Sequence, residues 1–158
     1  MTETATLAGG CFWGVEELVR KLPGVVDSTT GYAGGTLDNP RYEDVKIGRT
    51  GHAESLQIVF DPSKISYDDI LDFFFRLHDP TTANRQGNDI GTQYRSAIFY
   101  HDDAQRDAAQ RAIQRAQPKW PRPIVTEVVP FSNFYEAEDY HQDYLQRYPN
   151  GYTCHYLR

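Results

Sequence analysis

Ala53-Glu54-Ser55-Leu56-Gln57-Ile58-Val59-Phe60 is the clearest strand in the chain. Leu56, Ile58 and Phe60 recur at every second position, with Ser55, Gln57 and Val59 between them. That is the two-residue period of a strand with one buried face. Asp61-Pro62 closes it, because proline has no N–H to continue a ladder. Ser66 follows, with Asp69 three residues on, a variant of the reciprocal cap that opens a helix. Ile70, Phe74 and Leu77 then line one face of that helix.

Upstream, residues 3–8 read as a strand that ends at Gly9-Gly10. Val15, Leu18, Val19 and Leu22 stand at i, i+3, i+4 and i+7, the stripe of a core-facing helix, which Pro23-Gly24 stops. Residues 25–32 read as a second strand, and the polar, turn-rich stretch 34–51 is left unassigned. Downstream, residues 79–93 read as a long loop, and loops of that length usually carry function or are disordered. Strand 95–100 follows, then a helix capped by Asp102 with Ala108, Ala109, Ala112, Ile113 and Ala116 on one side. A strand over 123–129 and a last helix over 134–147, with Ala137, His141, Tyr144 and Leu145 on one face, complete the reading. Pro149-Asn150-Gly151 ends that helix and releases a tail.

The order is β-α-β-β-α-β followed by α-β-α. Its first six elements match the split β-α-β of ferredoxin-like folds. The expected class is α/β (α+β), with added helices and a strand around that core. We expect one domain over residues 1–148 and a C-terminal tail over 149–158.

Composition narrows the function. The 158 residues suffice for a single domain with its own core. The 16 basic and 22 acidic residues leave a net charge of −6, which argues against a general nucleic-acid-binding surface. No apolar stretch approaches the roughly 20 residues of a membrane span, and Met1-Thr2-Glu3-Thr4 lacks the basic start of a signal peptide. We therefore expect a cytoplasmic protein. Its two cysteines, Cys11 and Cys154, form neither a disulfide framework nor a zinc spacing. In a reducing compartment such a pair is more often catalytic or redox-active than structural.

Cys11 follows a strand and a Gly-Gly turn at the opening of a helix. Free N–H groups and the helix dipole favour a nucleophilic thiolate there; an inert buried thiol is the alternative. Phe12 and Trp13 could wall a pocket for a small apolar group, or simply join the core. Glu54 shares parity with Leu56, Ile58 and Phe60 and so points to the apolar face. Buried there it would keep its proton and serve as a general acid; if the strand starts after it, it lies in solvent. Asp89 and Tyr94 lie in the long loop and its exit, and Tyr42 in the unassigned stretch. Their alternatives are a loop cap for Asp89 and ordinary packing for the tyrosines. Cys154, in a tail expected to be mobile, could reach an oxidised Cys11 or be a surface thiol without a role. His52, His78, His101, His141 and His155 show no ligand spacing and read as structural or exposed.

Ala8-Gly9-Gly10-Cys11-Phe12-Trp13-Gly14-Val15-Glu16 resembles the signature of the type A peptide-methionine sulfoxide reductases. Gly31-Tyr32-Ala33-Gly34-Gly35, Tyr42-Glu43-Asp44-Val45, Gly51-His52-Ala53-Glu54 and His78-Asp79-Pro80-Thr81-Thr82 are similar to family segments in the family order. So are Gln86 to Ser96, Glu136 to Gln142 and Asn150-Gly151-Tyr152, so the resemblance covers nearly the whole chain. It implies that Cys11 attacks the sulfur of methionine sulfoxide, S epimer, while Glu54 protonates the oxygen. It implies that Tyr42 and Tyr94 hydrogen-bond that oxygen, that Phe12 and Trp13 hold the methyl group, and that Asp89 orients water or substrate. It further implies that Cys154 resolves the Cys11 sulfenic acid as a disulfide, which thioredoxin reduces. Many relatives carry two recycling cysteines in a glycine-rich tail, whereas Cys154 is the only one here. We expect a monomer that needs no cofactor or metal and binds neither nucleic acid nor membrane. A thiol peroxidase and a non-catalytic methionine-sulfoxide-binding module are the competing readings.

Overall fold

Which strand pairs with which decides where Cys11 and Glu54 can meet. The computed structural model describes residues 1–158. Its elements are β1 (Glu3–Gly9), α1 (Phe12–Val19), β2 (Val25–Ala33), α2 (Tyr42–Lys46), β3 (Ala53–Phe60) and α3 (Tyr67–Leu77). These are followed by a small hairpin of β4 (Arg85–Gln86) and β5 (Asp89–Ile90), then β6 (Ser96–Tyr100) and α4 (Asp103–Ala116). The chain ends through β7 (Glu127–Pro130), β8 (Phe134–Glu136) and α5 (Tyr144–Arg147). The main sheet runs β7-β6-β1-β3-β2-β8. Its four central strands, β6-β1-β3-β2, are antiparallel throughout. This is the split β-α-β arrangement expected from the element order. β7 joins one edge in parallel and β8 the other in antiparallel fashion.

One face of the sheet carries the main core. Leu7, Leu56, Ile58 and Phe60 meet Val15 and Val19 of α1, Ile70 and Phe74 of α3, and the alanine stripe of α4. The small residues of that stripe let α4 lie close. On the other face Ala8, Ala33, Ala53 and Ala97 leave room for Phe99, Phe131 and Phe134. Both predicted caps form: the Ser66 hydroxyl accepts from the Asp69 amide at 3.0 Å, and Asp102 accepts from the Gln105 amide at 2.8 Å. No helix is long and apolar enough to cross a membrane.

The structure corrects three element assignments. The strand expected over 123–129 is confined to Glu127–Pro130. Pro121 and Pro123 deny the earlier residues ladder donors, and the amides of Ile124 and Val125 bond instead to Gln117 Oε1 and the Pro80 carbonyl. The helix expected over 134–147 is replaced by β8, a 3₁₀ turn over Asp139–His141 and the short α5. Phe134 and Tyr135 take the free edge of β2 instead, and Asp143, at φ +52°, sits in the left-handed region that interrupts a helix. The long loop contains the β4–β5 hairpin, braced by a reciprocal pair of 2.8 Å bonds between the Gln86 amide and the backbone of Asp79.

The C-terminal segment lies against the body of the protein. The buried His155 ring donates from Nε2 to the Gly9 carbonyl at 2.6 Å, and the Arg158 amide bonds to the Arg76 carbonyl at 2.9 Å.

Candidate active site

β1 delivers the chain to Gly9-Gly10, and the turn that follows needs glycine. Gly10 has φ +95°, and a Cβ there would sit 2.7 Å from the Gln86 side chain. The turn places Cys11 at the N-cap of α1, buried, with its sulfhydryl free. From β3, Glu54 reaches the same helix end and accepts the Phe12 amide at 3.2 Å. Glu54 is thus on the buried face predicted from its parity, 1% exposed.

This arrangement changes the expected state of Cys11. Burial raises the thiol well above its ordinary value, and the Glu54 carboxylate raises it further, while the Trp13 amide opposes them. The helix start alone favours a thiolate, but here one of its free amides is taken by Glu54 and the site is desolvated. Burial, reinforced by Asp89, lifts Glu54 itself to about 8 against the pull of the Phe12 amide. Near neutral pH the pair is therefore a neutral thiol beside a protonated acid. Such a site can deliver a proton to an oxygen while sulfur attacks the atom that bears it.

Tyrosines surround the pair. Tyr32 lies opposite Glu54 in the β2–β3 register, fully buried. Its hydroxyl donates to Glu138 Oε1 at 2.9 Å, and Glu138 Oε2 accepts the Tyr42 amide at 3.0 Å, which fixes the start of α2. Burial, then Glu54 and Cys11, push the Tyr42 hydroxyl up to about 12. Tyr94 is raised first by burial and then by Glu54, Tyr42, Asp89 and Cys11. Both stay phenols and can donate to an oxyanion.

The aromatic wall rests on a histidine. Trp13 Nε1 donates to His141 Nδ1 at 2.9 Å, and the indole stacks on Tyr144 with centroids 3.9 Å apart. The bond from Trp13 places the proton of the neutral His141 ring on Nε2, and burial lowers the ring's basicity. Its ring lies 4.5 Å from Tyr42 and 5.2 Å from Phe12. Phe12 is buried beneath this layer, so Trp13 and Tyr42 are the more accessible walls.

The family model described as "Peptide methionine sulfoxide reductase" matches residues 3–158. The chain belongs to the peptide methionine sulfoxide reductase family. It is 58% identical to the peptide methionine sulfoxide reductase MsrA of Nocardia farcinica, covering 100% of this chain and 93% of that protein. The fold is similar to the crystal structure of Mxr1 from Saccharomyces cerevisiae in reduced form, with TM-score 0.95 and 47% identity over 99% of this chain and 92% of that one. It is also similar, with TM-score 0.69 and 34% identity, to Mxr1 in complex with Trx2, over 99% of this chain and 90% of that one.

In this reductase-family chain the fold gathers Cys11, Glu54, Tyr42, Tyr94 and Asp89 within electrostatic reach of one another. Cys154 joins them: Asp89 Oδ2 lies 3.8 Å from its sulfur, and its charge would raise the Cys11 thiol. Tyr32, Glu138, His141 and His155 also pack around this site, although the sequence alone does not single them out. Tyr32 was legible in principle, because strand parity sets it beside Glu54. The misassigned last helix hid Glu138 and His141, whose positions depend on β8 pairing with β2. Nothing local marks His155, whose partner is the Gly9 carbonyl.

Proposed function

We propose that this reductase reduces the S epimer of methionine sulfoxide, protein-bound or free, to methionine. The observation that carries the reading is the junction of Cys11 and the protonated, buried Glu54 at the first turn of α1. Cys11 sulfur attacks the sulfoxide sulfur, and the sulfur–oxygen bond of the substrate breaks. The Glu54 proton passes to that oxygen, which is transferred to the Cys11 sulfur as a sulfenic acid while the transient sulfur–sulfur bond breaks and methionine departs. The thiol proton returns to Glu54, so atoms balance: the cysteine is oxidised by two electrons and the sulfoxide reduced by two. Tyr42 and Tyr94 donate to the oxygen as negative charge gathers on it. Trp13, backed by the buried Phe12, holds the methyl group, and Asp89 orients substrate or water.

Cys154 then displaces the hydroxyl of the sulfenic acid, giving a Cys11–Cys154 disulfide and water. A thioredoxin reduces it by thiol exchange, the class of partner present in the Mxr1–Trx2 structure. Such a cycle suits the cytoplasm, where that reductant is supplied. Residues 1–148 act as the catalytic domain and 149–158 as the segment that brings the resolving thiol.

The raised Cys11 thiol speaks against a peroxidase, which relies on thiolate at rest. The paired acid speaks against a binding module. The test is reduction of separated S and R epimers with a coupled reductant, using the parent and Cys11→Ser. Turnover of S alone, lost in Cys11→Ser, supports the reading; turnover in Cys11→Ser, or a preference for R, overturns it.

A further inference from the structure

Asp89 stands where the cleft meets the C-terminal segment. On the cleft side its charge acts on Cys11 at the start of α1, Glu54 on β3, Tyr42 on α2, and Tyr94. On its other side it faces the C-terminal segment. There Oδ1 accepts from the Tyr152 hydroxyl at 3.2 Å, and Oδ2 lies 3.8 Å from Cys154 Sγ, within the longer reach of a thiol donor. The Cys154 thiol has two other acceptors, the Gln86 carbonyl at 3.7 Å and His155 Nδ1 at 3.9 Å.

These acceptors are not equivalent. A peptide carbonyl does not take up a proton. His155 spends Nε2–H on the Gly9 carbonyl, so Nδ1 carries the lone pair. Burial lowers that ring to about 4, so a second proton is strongly resisted. Asp89 is half-exposed, and desolvation raises its carboxyl above the ordinary value, which makes it the better proton store. The seam is built to hold this contact. A Cβ at Gly14 would overlap the His155 ring and the Thr153 hydroxyl, and Gly87, at φ +58°, turns the β4–β5 hairpin so that Cys154 fits 3.2 Å from where its Cβ would lie.

We propose that Asp89 is the proton acceptor for Cys154 in disulfide formation, with Tyr152 and His155 holding the thiol against it. The inference rests on the catalytic cycle given above. Asp89 removes the Cys154 proton as its sulfur attacks the Cys11 sulfenic sulfur. The Cys11 sulfur–oxygen bond breaks, the sulfur–sulfur bond forms, and the departing hydroxide takes the proton from Asp89 as water. One sulfenic-level sulfur and one thiol-level sulfur thereby end as a disulfide and water, with no further oxidant, because the sulfoxide has already oxidised Cys11 by two electrons.

The test is a rapid-quench single turnover without reductant, using free methionine S-sulfoxide. It reads methionine released and, separately, sulfenic acid trapped by dimedone against disulfide formed. In Asp89→Asn, disulfide formation is expected to slow about 10²-fold or more, as for loss of a general base, with sulfenic acid accumulating. The residual step should rise with pH as hydroxide replaces the carboxylate, and Asp89→Glu should restore most of the rate. Disulfide and sulfenic acid are read as fractions of the methionine released, so a slowed first step leaves the second readable, and an Asp89→Asn variant that releases no methionine overturns the assignment of Asp89 to disulfide formation. A disulfide rate within about threefold of the parent, or slowing without any new pH dependence, overturns the assignment. Absence of a methionine burst in the parent would instead overturn the reading of the first step.

Discussion

At the scale of single residues, the proposed chemistry turns on two groups that hold protons by burial. Glu54 is lifted to about 8, so its acid form dominates below that pH and is lost as pH rises through it. Methionine release should therefore hold through neutral pH and decline above about 8. Glu54→Gln should run about 10²–10⁴-fold slower below that point and show no break there; a parent-like pH profile in this variant would remove Glu54 as the donor. In the proposed mechanism Tyr42 and Tyr94 share one task, so Tyr42→Phe and Tyr94→Phe together should cost about 10²–10³ in the first step. Single-turnover rates check this, and each single variant should lose less than the pair.

At the scale of elements, the site depends on how chain segments end. Gly10 occupies a left-handed conformation with the Gln86 side chain where a Cβ would go. Gly10→Ala should cost about 1–3 kcal/mol from backbone strain and displace Cys11, visible as a lower urea midpoint with lost methionine release. Ile58→Ala, deep in the main core, should cost about 2–5 kcal/mol yet leave the first step nearly unchanged where the protein is folded. The difference between these variants separates positioning from packing. The same scale explains what could be read beforehand. The β3 alternation, the Ser66 and Asp102 caps and the parity of Glu54 are local, and all were legible. The helix expected over 134–147 does not form because Phe134 and Tyr135 answer to the open edge of β2, a partner about a hundred residues away. For Cys11 the helix start, which favours a thiolate, is local, whereas burial and Glu54, which oppose it, come from tertiary structure.

At the scale of the whole molecule, the site is a cost carried by the fold. Glu54 and Glu16, the latter lifted to about 7 by burial, bind protons more tightly folded than unfolded. Their contribution to stability is present at acid pH and lost as pH rises from about 4.5 through 7 and 8. The buried His78 and His155, lowered to about 3 and 4, act oppositely and weaken the fold as pH falls below about 6.5. Thermal midpoints should decline from about pH 6.5 to 8.5, and Glu54→Gln should flatten that decline; an unchanged slope would contradict the buried, protonated Glu54. The central claim is that Cys11 and Glu54 together take the oxygen from methionine S-sulfoxide. Its most direct measurement is methionine released in a single turnover, without reductant, by Cys154→Ser and by the same variant carrying Glu54→Gln. The account predicts one methionine per Cys11 in the first, with Cys11 trapped as sulfenic acid, and at least 10²-fold slower release in the second. Equal rates in the two, or release without a sulfenic acid on Cys11, would contradict it.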